Sequence, residues 1–382
     1  MRRSMKARRK LFSHKDPFDT AGTERLFADA MRENCLFHYK HSETYRMICD
    51  GKGFDPSSVK EYSDVERIPF IPTLFFKKHV TYSLPKYRLP ARATSSGTGG
   101  TKSEVGFTLG DLLLMLKMVI KASKLRSLFS AKPCHYILFG YKPHRTNQMA
   151  VTKTALAATL YAPALSRTYA LKYSGGRYSP DLEGVLAAII KHSGSRFPVR
   201  FMGFPSYTYF LMKMMNERDI RLTMPKGSRI LLGGGWKQFY AEKVDKSEFY
   251  ALAEKVLGIK ECDIVEFFGA VEHPVLYCDC KNHHFHVPIY SRVIIRDPDS
   301  LAPLPFGLPG LVELMTPVVT GTPIQSVMTD DIGILYDGRL CGCGIESPFI
   351  ELHGRIGMSD IKTCAAGAAE MLSKVDLQEM RS

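Results

Sequence analysis

The sequence predicts an α/β fold with a parallel core sheet and a smaller β-rich subdomain, and three observations predict it. Between residues 136 and 235 short apolar runs alternate with helical windows. That alternation implies strands laid parallel, helices between them and ligand sites beyond the strand ends. From 285 to 335 the texture changes to short β-rich runs broken by Pro and Gly, the mark of an antiparallel subdomain. Ahead of both stands a hydroxyl- and glycine-rich run, Thr94-Ser95-Ser96-Gly97-Thr98-Gly99-Gly100-Thr101-Lys102-Ser103.

Each element has its own warrant. Residues 23–50 carry Leu26, Phe27, Ala30, Met31 and Phe37 at helical intervals, so a helical stretch is expected there. Ile68-Pro69-Phe70-Ile71-Pro72 cannot be helical, because each proline pushes its predecessor into extended geometry. Residues 111–129 read as an amphipathic helix with Leu112, Met115, Leu116 and Val119 on its apolar side. Strands are expected at 136–140 and 229–232, helices at 182–192 and 207–216, and β-runs at 290–295 and 310–314. The expected segments are a helical lead-in at 1–90, an α/β core at 91–284, a β-rich subdomain at 285–353, and a hinge with a short tail at 354–382.

Composition excludes several classes. At 382 residues and 45% hydrophobic, the chain can bury one large core or two modest ones. Its longest apolar stretch, 112–120, is broken by Lys117 and is far too short to span a membrane. Nine cysteines without a secretory signal point to reduced thiols, metal ligands or catalysis in a cytoplasmic protein. Net charge is +14, and six of the first ten residues are Arg or Lys. No helix-turn-helix, zinc-finger or RNA-stacking pattern accompanies that charge, so no nucleic-acid partner is expected. A basic surface suits ATP, coenzyme A or an acidic carrier protein, and equally a solvated arm.

The loop at 94–103 combines three glycines, six hydroxyls and a lysine, a nest for phosphate oxygens. It is not the common mononucleotide P-loop, because Ser96 and Thr101 occupy the two positions that motif reserves for glycine. It resembles instead the Ser/Thr/Gly-rich loop of adenylate-forming enzymes. Four further landmarks follow in that superfamily's order. Gly233-Gly234-Gly235-Trp236-Lys237 resembles the glycine turn beside the adenine. Phe268-Gly269-Ala270-Val271-Glu272 resembles the motif whose aromatic ring packs on adenine and whose glutamate holds magnesium. Thr329-Asp330-Asp331 resembles Thr-Gly-Asp, whose aspartate accepts the ribose hydroxyls. Gly354-Arg355, with Asp360 and Lys362 beyond, resembles the hinge whose arginine reaches the nucleotide.

Within that superfamily the chain is most similar to the acyl-protein synthetases of the luminescence-type fatty-acid reductase system, with phenylacetate:coenzyme A ligases as nearest relatives. The segment 68–73 ahead of the loop, the Gly-Gly-Gly-Trp-Lys turn and the short C-terminus carry that similarity. The resemblance implies the N-terminal adenylation fold without the large mobile C-terminal domain, since 27 residues follow Arg355. It implies ATP and magnesium as cofactors and a fatty or other carboxylic acid as substrate. The acyl acceptor it implies is Cys364, with an acyl reductase as partner. Glu272 and Lys102, with donors at Ser95, Ser96, Gly97, Thr98, Gly99, Gly100 and Thr101, would serve the phosphates and metal. Gly234, Gly235, Trp236, Phe268, Gly269, Asp331 and Arg355 would bind the nucleotide. Two residues depart from the superfamily pattern: Val271 stands for a threonine and Asp330 for a glycine. Lys362 or Lys374 would replace the lysine of the missing domain.

A second group of residues is set apart from turnover. Cys278-Asp279-Cys280, His283, His284 and His286 precede Cys341-Gly342-Cys343 by about sixty residues. Two Cys-x-Cys pairs with nearby histidines meet the need of tetrahedral zinc for four Cys/His ligands. Cys280, His286, Cys341 and Cys343 are the favoured set, with Cys278 and His283 as alternates, and some relatives carry zinc here. His273 is either a core histidine or a wall of the acyl pocket, and 201–209 with 211–215 are either that pocket or plain core. Coenzyme A or carrier-protein ligation, and a scaffold that kept the fold without the activity, remain alternatives to acyl-protein synthesis.

Overall fold

The structure, a computed structural model, describes residues 5–95, 102–144, 150–236, 239 and 242–355. The chain divides into two compact units: Met1–Thr94, Thr101–Ala122 and Gly269–Ser382 form the first, and Ser95–Gly100 with Ser123–Phe268 the second. The second unit lies within the segment expected over 91–284. Among the described residues no helix is long and apolar enough to cross a membrane.

The second unit is the parallel α/β layer. Its strands lie in the order Ile264–Phe268, Arg229–Gly233, Val199–Gly203, Cys134–Tyr141, Ala164–Ser174 and Arg177–Pro180. All neighbouring pairs are parallel except the last, a hairpin. Gly175 and Gly176, at φ of 57° and 81°, make its two-residue turn, which requires left-handed backbone. Ile137, Phe201, Ile230 and Ile264 stand in one row across four strands and are fully buried. Strands covered on both faces read as unbroken apolar runs, which is why these were readable. Helices Leu182–Ser193, Pro205–Glu217 and Lys246–Leu257 connect the strands. Leu211, Met212 and Met215 join the hydrophobic core. At Gly203, φ is +138° and a Cβ would fall 2.2 Å from the Phe139 carbonyl oxygen, so only glycine fits this strand-to-helix turn.

The first unit begins with helices Lys6–Ser13, Thr20–His41 and Glu43–Gly51. The helical stretch expected over 23–50 is therefore two helices. Ser42 divides them: its N–H closes the first on the His38 carbonyl and its hydroxyl accepts from the Tyr45 N–H at the start of the second. Strands Phe285–His286, Phe349–Arg355, Ser326–Tyr336, Pro309–Met315 and Arg292–Arg296 follow one another in an antiparallel sheet. Ile71–Pro72, off that path, pairs in parallel with Val327 and Met328. Ala91–Thr94 and Glu104–Phe107 pair as an antiparallel ribbon whose connection is the hydroxyl- and glycine-rich loop.

Helix Leu109–Leu125 rolls differently from its expected face. Leu114, Met118 and Ala122 are buried, whereas Leu116 is exposed. The cause is Asp111, polar in any periodicity count yet wholly buried. Its carboxylate takes Arg8 Nη2 at 2.5 Å, the Thr320 hydroxyl at 2.8 Å, and the N–H groups of Thr108 at 2.9 Å and Thr320 at 3.1 Å. A charge satisfied this fully turns inward and takes along the residues at i+3, i+7 and i+11, Leu114, Met118 and Ala122.

Candidate functional site

Glu272 is held at the tip of a tight turn. The N–H of Ala270 meets the His273 carbonyl at 3.3 Å and the His273 N–H meets the Ala270 carbonyl at 3.2 Å, which leaves Val271 and Glu272 as the turn's tip. The buried Glu272 carboxylate accepts a hydrogen bond from Ser103 through Oε1. A buried carboxylate with one oxygen so fixed has its other oxygen to offer a divalent cation, the donor type that magnesium prefers. Ser103, just past Lys102, is a contact that the sequence reading missed. Its one signal was membership of the hydroxyl-rich run.

His273 is a core residue and not a pocket wall. It is fully buried, with Nε2 at 3.2 Å from the Tyr277 hydroxyl and 3.1 Å from that of Ser291. Ser291 in turn donates to the Met315 carbonyl at 3.0 Å. Burial pushes the His273 imidazole down to about 3, so it stays neutral. The hydroxyl pair anchors the end of the Glu272 turn to the β-sheet.

Asp330 and Asp331 lie on strand Ser326–Tyr336. Asp331 stands opposite Arg355 across the antiparallel pair, so two expected nucleotide residues 24 positions apart become register partners. The Asp331 N–H donates to the Thr329 hydroxyl at 3.2 Å. Asp330 receives Thr73 Oγ1 at 3.1 Å and Lys77 Nζ at 3.4 Å. Thr73 and Lys77 belong to helix Thr73–Lys78, which starts directly after Pro72. The proline-rich segment and the aspartate in the glycine position are thus one interaction, which neither spacing nor residue type announces.

In the second unit, strand Arg229–Gly233 ends on Gly234 and Gly235, both left-handed at φ of 81° and 67°. Trp236 follows, nearly buried, with its ring 5.6 Å from that of Tyr209. Phe268 closes strand Ile264–Phe268, and Gly269 comes next. Both sets sit at carboxyl ends of parallel strands, where α/β sheets bind ligands. A cavity of about 450 Å³ lined by Phe129, Thr159, Leu160, Tyr161 and Arg167 lies instead at the opposite, amino-terminal ends, and none of the expected residues lines it. Lys102 is exposed and Ser95 partly buried. Ser96, Gly97, Thr98, Gly99, Gly100, Thr101, Lys237, Lys362, Cys364 and Lys374 lie outside the described residues.

The cysteines and histidines set apart in the sequence form a cluster in the first unit. Ligand atoms of Cys280, His286, Cys341 and Cys343 all lie within 4.8 Å of one another. Cys280 Sγ is 3.5 Å from Cys341 Sγ, and Cys343 Sγ is 3.2 Å from His286 Nε2. His286 Nδ1 is 2.7 Å from the Ser347 carbonyl, which fixes the tautomer with Nε2 unprotonated and turned to the sulfurs. The N–H groups of Asn282 and Ile345 donate to Cys280 Sγ at 3.3 Å and Cys343 Sγ at 3.4 Å. Three thiols and one imidazole fit tetrahedral zinc by both number and softness. Burial, then the thiols of Cys343 and Cys280, push Cys341 up to about 12, so without a cation this thiol keeps its proton. The two alternates do not join the cluster. His283 pairs with the buried Asp279 through Nδ1 at 2.6 Å, and Cys278 is buried on strand Tyr277–Cys278.

Comparison with known proteins bears on the family and the fold. A long-chain-fatty-acid–luciferin-component ligase from Aliivibrio fischeri is 24% identical over 351 residues, covering 90% of this chain and 88% of its own length. A phenylacetate-coenzyme A ligase from Thermus thermophilus is 23% identical over 337 residues, covering 85% of this chain and 69% of its own. The fold matches a crystal structure of 2-hydroxyisobutyryl-CoA ligase with TM-score 0.66 at 16% identity, covering 90% of this chain and 70% of that one. The family model described as "Acyl-protein synthetase, LuxE" matches residues 8–373, which places the chain in the LuxE acyl-protein synthetase family of ligases.

Proposed function

We propose that this protein activates a long-chain carboxylic acid with ATP and then passes the acyl group to its own Cys364. The observation that carries the reading is the similarity, over nearly the whole chain, to a long-chain-fatty-acid–luciferin-component ligase. In the first step a carboxylate oxygen of the acid attacks the α-phosphorus, the bond to the β-phosphate oxygen breaks, and pyrophosphate leaves. In the second, the Cys364 sulfur attacks the acyl carbon, the acyl–phosphate C–O bond breaks, AMP leaves, and the thiol proton passes to solvent. The resulting thioester is a substrate for an acyl reductase.

Magnesium, when bound, neutralises charge on the phosphates during the first step. Glu272, oriented by Ser103, offers it a carboxylate. Lys102 and the hydroxyl donors from Ser95 to Thr101 take the phosphate oxygens, and Asp331 accepts the ribose hydroxyls. Gly234, Gly235, Trp236, Phe268 and Gly269 flank the base, and Arg355 reaches the nucleotide from the strand opposite Asp331. The Cys280–His286–Cys341–Cys343 cluster would hold one zinc, and with four protein ligands that zinc would be structural rather than catalytic. Reduced thiols at both places suit the cytoplasm.

Intact mass after incubation with ATP and tetradecanoate should show a hydroxylamine-labile acyl adduct that Cys364→Ser abolishes. Survival of the adduct in that variant removes Cys364 as acceptor. The phenylacetate-coenzyme A ligase match supports a second reading, with coenzyme A as acceptor. Thioester formation on added coenzyme A by Cys364→Ser, with substrate-dependent ATP–pyrophosphate exchange intact, would decide for it.

A further inference from the structure

Helix Leu109–Leu125 carries a second apolar face, on its outer side. Leu109, Leu113, Leu116 and Ile120 are 64%, 55%, 56% and 38% exposed. At about 100° per residue these four fall within a sector of roughly 60°, opposite the buried Leu114, Met118 and Ala122. Scattered exposed leucines need no explanation, but four in register along one helix do.

Basic residues neighbour this stripe. The helix has one acidic residue, Asp111, and it is buried against Arg8. That ion pair fixes the N-terminal helix Lys6–Ser13 to helix Leu109–Leu125. Two further ties run between them, Lys117 Nζ to Ser13 Oγ at 3.5 Å and Lys121 Nζ to the Phe12 carbonyl at 3.2 Å. The sequence KARRKLFS contains no acid, and Lys6, Arg9 and Lys10 are exposed on it, as Lys117 is on its neighbour. Glu33 accepts the N–H groups of Ala7 and Arg8, each at 3.1 Å, and so holds this basic helix in place. The basic N-terminus is therefore not a loose arm from residue 6 onward. It is docked beside an exposed leucine stripe.

We propose that this surface is a peripheral docking site for an anionic lipid bilayer, with the stripe entering the interface and the lysines and Arg9 meeting acidic headgroups. Leucines on one side and basic residues beside them are what an interfacial helix needs. A protein partner is less well served, since a specific interface takes about 800 Å² from each side and four side chains supply only part of that. A second copy of this chain would bring like charge against like. The inference stands on the surface alone and does not depend on the proposed acyl chemistry.

Flotation of the full-length protein with phosphatidylcholine vesicles, with and without about one-third phosphatidylglycerol, tests it. The protein should float with the anionic vesicles at low salt, stay behind with the neutral ones, and be released by high salt. Leu113→Glu with Leu116→Glu should cut partitioning about tenfold at unchanged melting temperature, since both side chains are exposed. Lys6→Glu with Lys10→Glu should do the same, and it decides the matter should the leucine variant melt early. Absence of flotation with anionic vesicles, or equal flotation of the parent protein and both variants, overturns the proposal. So does a dimer in sedimentation velocity that the leucine variant dissolves without any lipid binding, which would assign the stripe to a second copy.

Discussion

Thr73 Oγ1 donates to Asp330 Oδ1 at 3.1 Å, joining residues 257 positions apart beside the aspartate expected to take the ribose. Lys77 approaches the other oxygen of Asp330 at 3.4 Å. Glycine, usual at this place in the superfamily, would make neither bond. Here the side chain locks strand Ser326–Tyr336 to helix Thr73–Lys78 one residue before Asp331. Thr73→Ala should weaken ATP binding by about two- to tenfold, the worth of one hydrogen bond at ~0.5–1.5 kcal/mol, with kcat little altered. Calorimetric titration of nucleotide checks this, and unchanged affinity would make the contact merely structural.

Asp331 itself should matter more. Asp331→Ala removes the expected acceptor of the ribose hydroxyls and should cost about 1.5–3 kcal/mol of ATP affinity, since charged hydrogen bonds are the stronger ones. Deoxy-ATP should bind the parent protein more weakly and the variant no worse than ATP. Equal discrimination by both proteins would move the ribose elsewhere.

Removal of the expected zinc should be felt as lost stability. Elemental analysis of protein purified without added metal should find about one zinc per chain, and a strong chelator should lower the melting temperature more than it changes nucleotide affinity. Cys280→Ser should reproduce that pattern. A stoichiometry near zero in fully stable protein would end the idea.

Acid should unfold this protein through buried histidines. His38 is fully buried between Ser83 Oγ at 2.7 Å and the Val319 carbonyl at 3.1 Å, and burial pushes it down to about 4. A histidine depressed in the folded state is fully stabilising above its unfolded value near 6.5 and loses that contribution as pH falls towards 4. The loss is ~1.4 kcal/mol per pH unit over that window, on the order of 3 kcal/mol in all, and His273 adds to it in the same direction. Denaturant titrations at pH 7.5 and 5 should differ accordingly, and His38→Gln should flatten the slope. A parent protein equally stable at both values would contradict the account.

Breaking the Arg8–Asp111 pair should be among the costliest single changes on the polar side. Arg8→Ala leaves a buried carboxylate without its cation, and such losses run to about 3–5 kcal/mol. Arg8 Nε also gives up its bond to the Pro317 carbonyl, 2.7 Å away. Thermal unfolding of Arg8→Ala and Arg8→Lys separates the two effects. A loss under about 1 kcal/mol in both would mean that the N-terminal helix contributes little to the fold.

How much of this the sequence alone determined follows from the range of the forces involved. The parallel strands were readable because a strand buried on both faces must be apolar throughout, as 136–140 and 229–232 are. The proline-rich segment, the glycine turn and the division of Cys and His into two Cys-x-Cys groups were readable because each is a local constraint on backbone or ligand spacing. Folding in three dimensions fixes where polar side chains find partners far along the chain. Ser103 with Glu272, Thr73 with Asp330, and Asp331 opposite Arg355 pair residues whose types alone allow many other partners. The roll of helix Leu109–Leu125 belongs with them: periodicity counts Asp111 as outward, and only Arg8, 103 positions earlier, makes its burial cheap enough to turn the helix over.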